Sequence, residues 1–263
     1  MDLTLQIIRA DGSVACEAAG VNDVCLAAAH EYAPGDTIAL ASGAGAKYLF
    51  LQLDDALGEA FVYMTADSYA YSVPFTEKRA NLSPKAFAGG MHILRARLAA
   101  DYEINAYRNL ALNVADQQED AGCYPHAHAN VETRGESVFA ARNAIDGVVA
   151  NLSHGEWPYA SWGINRNLDA EMTIDFGREV EADKIALVTR ADFPHDNWWT
   201  SATFTFSNGD EIVFHMEKSE KPHVLTFPAK RFRTVTISKL IQADDPSPFP
   251  ALTQMEVYGR NII

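Results

Sequence analysis

Between Arg190 and Trp199 the chain reads Arg-Ala-Asp-Phe-Pro-His-Asp-Asn-Trp-Trp, so Arg190, Asp192, His195, Asp196 and Asn197 stand beside two adjacent tryptophans, Trp198 and Trp199. That mixture suits a hydroxyl-rich ligand. Planar and charged groups exchange directional hydrogen bonds with hydroxyls, while an aromatic face covers the C–H side of a sugar ring. The run follows an alternating stretch, 184–189, which is expected to be a strand, so the polar residues fall in an end loop on a rigid scaffold. Neighbours on an extended segment point to opposite sides. One of Trp198 and Trp199 is therefore expected in the core and the other at the ligand.

Other chemistry is sparse. The chain has no Gly-x-Ser-x-Gly elbow, no His-Glu-x-x-His, no phosphate-cradling glycine loop and no Cys-x-x-Cys pair. His126 and His128 lie two apart, so a strand would present both on one face to a metal, whereas a solvated loop would leave them without a role. Asp54, Asp55 and Glu59 form an acidic turn that reads as solvated surface rather than a hydrolytic carboxylate pair. These signs point away from an enzyme.

The elements that must carry the loop are nearly all strands. Leu3, Leu5 and Ile7 alternate with polar residues, Asp11-Gly12 supplies a tight turn, and short apolar runs follow at 37–41, 47–53, 59–65 and 91–99. Later, Met172, Ile174 and Phe176 alternate, and Phe204 and Phe206 lead into Asn208-Gly209, a strong hairpin signal, before Ile212 and Phe214. Only 138–143 and the connector 99–110 have helical character. The pattern predicts an all-β chain of two tandem β-sandwich, jelly-roll-like domains, residues 1–105 and 106–263, joined near 102–108.

Composition narrows the partners. The chain has 263 residues, 48% hydrophobic and 21% charged, enough to bury sizeable cores, and its formal net charge is -14. Such a charge repels phosphate backbones and anionic lipid headgroups, so neither nucleic acid nor membrane is an expected partner. No stretch approaches the roughly 20 apolar residues of a membrane helix, and the start Met1-Asp2-Leu3-Thr4 has neither basic nor apolar signal character. Cys16, Cys25 and Cys123 cannot all pair and show no metal spacing. A cytoplasmic setting is the expectation, or an extracellular one if a signal once preceded Met1.

An ordered set of motifs adds to this reading. Asn109-Leu-Ala-Leu-Asn113, Ala141-Arg-Asn-Ala-Ile-Asp-Gly147, Trp157, Trp162, Met172-Thr-Ile-Asp-Phe-Gly177 and Gln254-Met-Glu-Val-Tyr-Gly259 follow one another in a way that resembles the discoidin, or coagulation factor 5/8 type C, family, which includes the family 32 carbohydrate-binding modules. The resemblance covers a little over half of the chain. It implies a C-terminal discoidin-like sandwich that takes a sugar through loops at one end. It also implies that the loop 154–162 neighbours that end, with His154, Glu156 and Tyr159 as rim contacts and Trp157 in the core. Many members hold a structural calcium between the Asp-Gly loop and a glutamate of the last strand. Asp146 matches the aspartate, but Gln254 occupies the glutamate's place, with Glu256 two residues on, and a glutamine oxygen can ligate calcium but brings no charge.

The resulting expectation is a non-enzymatic carbohydrate-binding protein. Two alternatives stay open: a protein-interaction or self-assembly module whose exposed aromatics Trp198, Trp199 and Phe249 form a homo-oligomer interface, and a sugar-active enzyme with a cleft between the sandwiches.

Overall fold

The computed structural model describes residues 1–45, 47–153, 155–191 and 197–262. Alternating apolar residues set its first half. Strands β1 (Asp2–Ile8), β2 (Val14–Val21), β3 (Asp23–Ala29), β4 (Thr37–Ser42), β5 (Lys47–Gln52), β6 (Ala60–Met64), β7 (Ser68–Ser72) and β8 (Met91–Leu98) form two antiparallel sheets, ordered β2-β1-β4-β7 and β6-β5-β8-β3. Leu3, Leu5 and Ile7 of β1 and Val24, Leu26 and Ala28 of β3 turn inward, the period-two consequence of strand geometry. A core containing them, Leu49, Leu51, Val62 and Leu94 lies between the sheets.

A single turn of helix, α1 (Asp101–Ile104), then leads to β9 (Arg108–Asn109). Glu103 ties this connector down by bidentate contacts to Arg97, at 2.8 Å each, and Tyr102 stays 77% exposed. The expected division at 105/106 meets one complication. Strand β10 (Cys123–Tyr124) extends the first half's second sheet by pairing with β6, Ala115 and Cys123 are buried in the first core, and Tyr69 Oη donates to the Ala115 carbonyl at 2.6 Å. The chain thus returns to the first sandwich before committing to the second.

The second sandwich is built from β11 (His126–Ala129), β12 (Trp162–Gly163), β13 (Met172–Thr189), β14 (Trp199–Phe206), β15 (Glu211–His215), β16 (His223–Gln242) and β17 (Ala251–Asn261). Two long strands organise it. β13 pairs with β16 along its length, but β11 joins only its first part and β17 only its second, with register shifts between Asp175 and Val180 where the sheet changes direction. Gly177 occupies this corner at φ 69°, and a Cβ there would lie 2.3 Å from the Tyr124 ring. The motif ending in Gly177 therefore marks a bend and a close approach that only glycine permits. The resulting core contains Phe176, Phe204, Phe206, Phe232, Trp162 and Trp199. The predicted hairpin at Asn208-Gly209 joins β14 to β15, with Gly209 at φ 91°. Of the two stretches with helical character, 138–143 becomes 3-10 turns at Ser137–Phe139 and Ala141–Ile145, and the connector holds α1.

Candidate functional site

The end of the second sandwich where β13 stops and β17 starts gathers four loops. Thr189 pairs with Leu252, the Arg190 amide donates to the Ala251 carbonyl at 3.1 Å, and Gly163 of β12 pairs with Ala251 from the other side. A cleft of about 460 Å³ opens there, between the segment 133–139, the segment 161–166, Arg190 and the loop 246–251. Its size falls in the range of small-molecule sites.

Each wall has a local cause. Pro246, Pro248 and Pro250 fix φ along the last loop, and Asp245 accepts the Ser247 amide at 3.0 Å, so Phe249 is held outward and 46% exposed. The Arg166 guanidinium lies 4.5 Å from the Phe249 ring centroid, and that of Arg134 5.6 Å from the Phe139 ring. Arg134, Asn165 and Arg166 are three of seven non-glycine residues with left-handed φ among those described. Each such conformation costs on the order of 1 kcal/mol or more and gathers at ligand clamps. Thr133 Oγ1 accepts the Asn165 amide at 3.0 Å and anchors that turn.

The lining also holds hydrogen-bonding capacity that the protein leaves unused. Ser161 is 1% exposed and Ser247 9%, yet neither Oγ has a partner among the described residues. Buried hydroxyls are ordinarily bonded, because an unsatisfied one costs roughly 1–3 kcal/mol. Arg190 is buried beside them, and its Nη1 donates to the Tyr159 carbonyl.

The residues expected to grip a ligand therefore separate. Arg190 lines the cleft. Asn197 is fully buried and spends its amide on the Ala243 carbonyl at 2.9 Å and the Trp198 amide at 2.7 Å, which makes it a loop anchor instead of a ligand contact. Trp199 is fully buried, its ring centroid 6.5 Å from that of Trp162, so of the tryptophan pair it is the core member and cannot be the platform. Trp198 is half-buried under Lys218 Nζ, 4.9 Å from its ring, and it does not line the cleft. Glu156 is exposed and Tyr159 half-buried, and neither lines the cleft. Asp192, His195, Asp196 and His154 lie outside the described residues. Trp157 is half-buried instead of belonging to the core, and Trp162 is the tryptophan that fills it, its Nε1 donating to the Val131 carbonyl at 2.9 Å.

Sequence reasoning missed Ser161, Arg166 and Ser247 as site residues and placed Phe249 only at an interface. The alternating prolines around Phe249 were the available signal, since they hold an aromatic side chain on a stiff loop.

The Asp-Gly loop and the last strand do meet, on different terms from those of a calcium site. Gln254 is buried, and its Nε2 donates to the Asn143 carbonyl and to Asp146 Oδ1, each at 2.7 Å. Its Oε1 accepts the Gly147 amide at 3.0 Å, which fixes which way the amide faces. The oxygens a calcium ion would need are thus turned toward an amide nitrogen, and the residues do not fit the ion. Glu256 stands apart, accepting the Tyr258 hydroxyl at 3.0 Å. Burial pushes the Asp146 carboxyl up to about 6, against the opposing pull of Arg142 and its hydrogen bonds.

Two histidine clusters are tied into the fold by hydrogen bonds. His126 is buried against Asp116 at 2.8 Å, in a strand and not a solvated loop, while His128 is exposed. Asp54, Asp55 and His92 place ligand atoms within 4.8 Å of one another. Their contacts are already made: His92 Nδ1 to Asp54 at 2.8 Å, and the Ala56 and Ile93 amides to Asp54 and Asp55.

A scan against protein-family models and a search among curated proteins each give no match. Among solved structures, the chain is similar to chitosan-binding module 1 derived from a chitosanase/glucanase of Paenibacillus sp. IK-5, at 19% identity over 57% of this chain and 98% of that one, TM-score 0.40. It is similar to the family 32 carbohydrate-binding module of C. perfringens NanJ in complex with galactose, at 20% identity over 50% and 91%, TM-score 0.37. It is also similar to the lectin domain of Lectinolysin complexed with Lewis B antigen, at 19% identity over 59% and 97%, TM-score 0.42.

Proposed function

We propose that this protein binds carbohydrate, without chemical turnover, in the cleft at the end of its second sandwich. The observation that carries this is the pair of buried hydroxyls of Ser161 and Ser247, without a partner among the described residues, in a cleft also lined by Arg190, Phe139 and Phe249. A sugar meets both halves of that surface. Its hydroxyls hydrogen-bond the serines, and its C–H face packs on an aromatic ring.

Binding rather than hydrolysis fits the lining. Among the described residues no Asp, Glu or His lines the cleft, so these residues offer no counterpart to the paired carboxylates of glycoside hydrolysis. The ordered motifs of the sequence, which resemble the discoidin and family 32 modules, point to the same kind of ligand. A shallow, preformed site with few contacts is expected to bind in the millimolar to tens-of-micromolar range, about 4–6 kcal/mol.

The test exploits the orphan hydroxyls. Removing an unsatisfied buried group is neutral or stabilising for the fold, whereas removing a hydroxyl that serves a ligand weakens binding. The double variant Ser161→Ala, Ser247→Ala is expected to melt at or above the wild-type temperature and to lose roughly tenfold in affinity for whichever glycan binds in isothermal titration. Unchanged affinity in the double variant places the sugar elsewhere. A glycan panel with no binder at millimolar concentration removes the carbohydrate reading altogether.

A further inference from the structure

We propose that the sugar taken by this cleft is an anionic one, a uronic acid or a saccharide that contains it. The inference rests on the carbohydrate reading above and narrows its ligand class. Acidic residues outnumber basic ones by 35 to 21 in the chain, yet the charged lining residues of the cleft among those described are Arg134, Arg166 and Arg190. A lining whose described charges are all cationic runs against the composition of the molecule. A carboxylate brought to this cleft meets arginines, in a chain whose net charge of -14 otherwise opposes its approach.

The three arginines are not equivalent. Arg134 is held by both oxygens of Glu136, with Nη2 to Oε2 at 2.9 Å, which spends much of its charge. Arg190 is buried in the cleft lining, and its Nη1 donates to the Tyr159 carbonyl. Arg166 is exposed, its guanidinium carbon stands 4.5 Å from the Phe249 ring centroid, and it has no carboxylate partner among the described residues. Stacking on the ring covers the face of a guanidinium and leaves its edge, where the N–H donors lie, directed sideways; that edge matches the two oxygens of a carboxylate. Ser161 and Ser247 supply the neutral hydrogen bonds that the remaining hydroxyls of a pyranose require.

A uronic acid differs from its parent hexose only at C6, where a carboxylate replaces the hydroxymethyl group. Matched pairs isolate the charge: the methyl glycosides of galactose, glucose and mannose against the corresponding methyl uronides, titrated into the full chain. At least one uronide is expected to bind roughly tenfold tighter than its neutral counterpart. That advantage shrinks as ionic strength rises from about 0.01 to 0.15 M, because the Debye length falls from roughly 30 to 8 Å. It also shrinks in Arg166→Gln and is partly restored in Arg166→Lys, with the melting temperature of each variant recorded to confirm folding.

The outcomes separate. If a neutral glycoside binds at least as tightly as its uronide in every pair that binds, the anionic assignment is overturned while the carbohydrate reading stands. If the uronide preference persists in full in Arg166→Gln, the assignment to this cleft is overturned. If no member of any pair binds at millimolar concentration, both readings fall together.

Discussion

Replacing Gln254 by glutamate is expected to convert a self-sufficient joint into a cation-dependent one. In the native chain the amide nitrogen sits 2.7 Å from both the Asn143 carbonyl and Asp146 Oδ1, and 3.5 Å from the Val148 carbonyl. A carboxylate in its place removes the two donors and sets a second negative charge against Asp146. At about 4 Å and an effective dielectric of about 20, that repulsion is on the order of 4 kcal/mol. Uptake of a proton limits the cost, so a net loss of roughly 3–5 kcal/mol is expected in chelator at neutral pH, as for a buried charge left uncompensated. For a chain of this size that lowers the melting temperature by roughly 6–20 °C. Calcium should reverse the loss, because two carboxylates and two carbonyls now offer it hard oxygens. If the variant's Kd is about one hundredth of the free calcium concentration, the recovery is about 2.7 kcal/mol. Thermal melts of both proteins, with chelator and with millimolar calcium, check this. The reasoning fails if wild type gains as much from calcium as the variant does, or if the variant ignores calcium.

Three further expectations follow from the same structure. Asp146 carries its own pH signature: its folded pKa of about 6 stands above the ordinary 3.8, so its stabilising contribution is complete below about pH 4 and is lost as pH climbs through 6. The loss is roughly 3 kcal/mol, and denaturant melts of Asp146→Asn should lack that share of the wild-type decline between pH 4 and 7. Trp199→Ala should cost roughly 3–5 kcal/mol of stability, since Trp199 is fully buried, while the half-buried Trp198→Ala costs markedly less; equal losses in urea unfolding would contradict this arrangement. Two domains divided near residues 105 and 106 remain a proposal, and limited proteolysis at the exposed Tyr102 or Tyr107 tests it. The nicked halves should co-elute on gel filtration, because Ala115 and Cys123 are buried in the first core; separation on nicking would show that those contacts do not hold the halves together.

What the sequence determined by itself was whatever depends on near neighbours. Alternation at Leu3, Leu5 and Ile7, the Asn208-Gly209 turn, and the antiparallel all-β class are local, because side-chain direction in a strand reverses at every residue and a tight turn needs only two or three residues of the right kind. The replacement of a glutamate by Gln254 was equally visible, and so was the rule that only one of two adjacent tryptophans can face the core. The sequence did not say which one. That depended on how β14 registers against Gln242 of β16, and so on pairings made 43 positions away.

The cleft was decided entirely by tertiary structure. Its walls come from segments near 133, 163, 190 and 249, which no periodicity connects, and they meet only because β12, β13 and β17 end side by side around Ala251 and Leu252. The same holds for the joint at Asp146. The letters show an aspartate and a distant glutamine, but only the folded chain places the amide nitrogen between the oxygens a cation would have used and turns the amide oxygen toward Gly147. Turn and strand signals are short-range properties of the backbone, while a binding site is a coincidence in space of side chains whose separation along the chain carries no information about their separation in the fold.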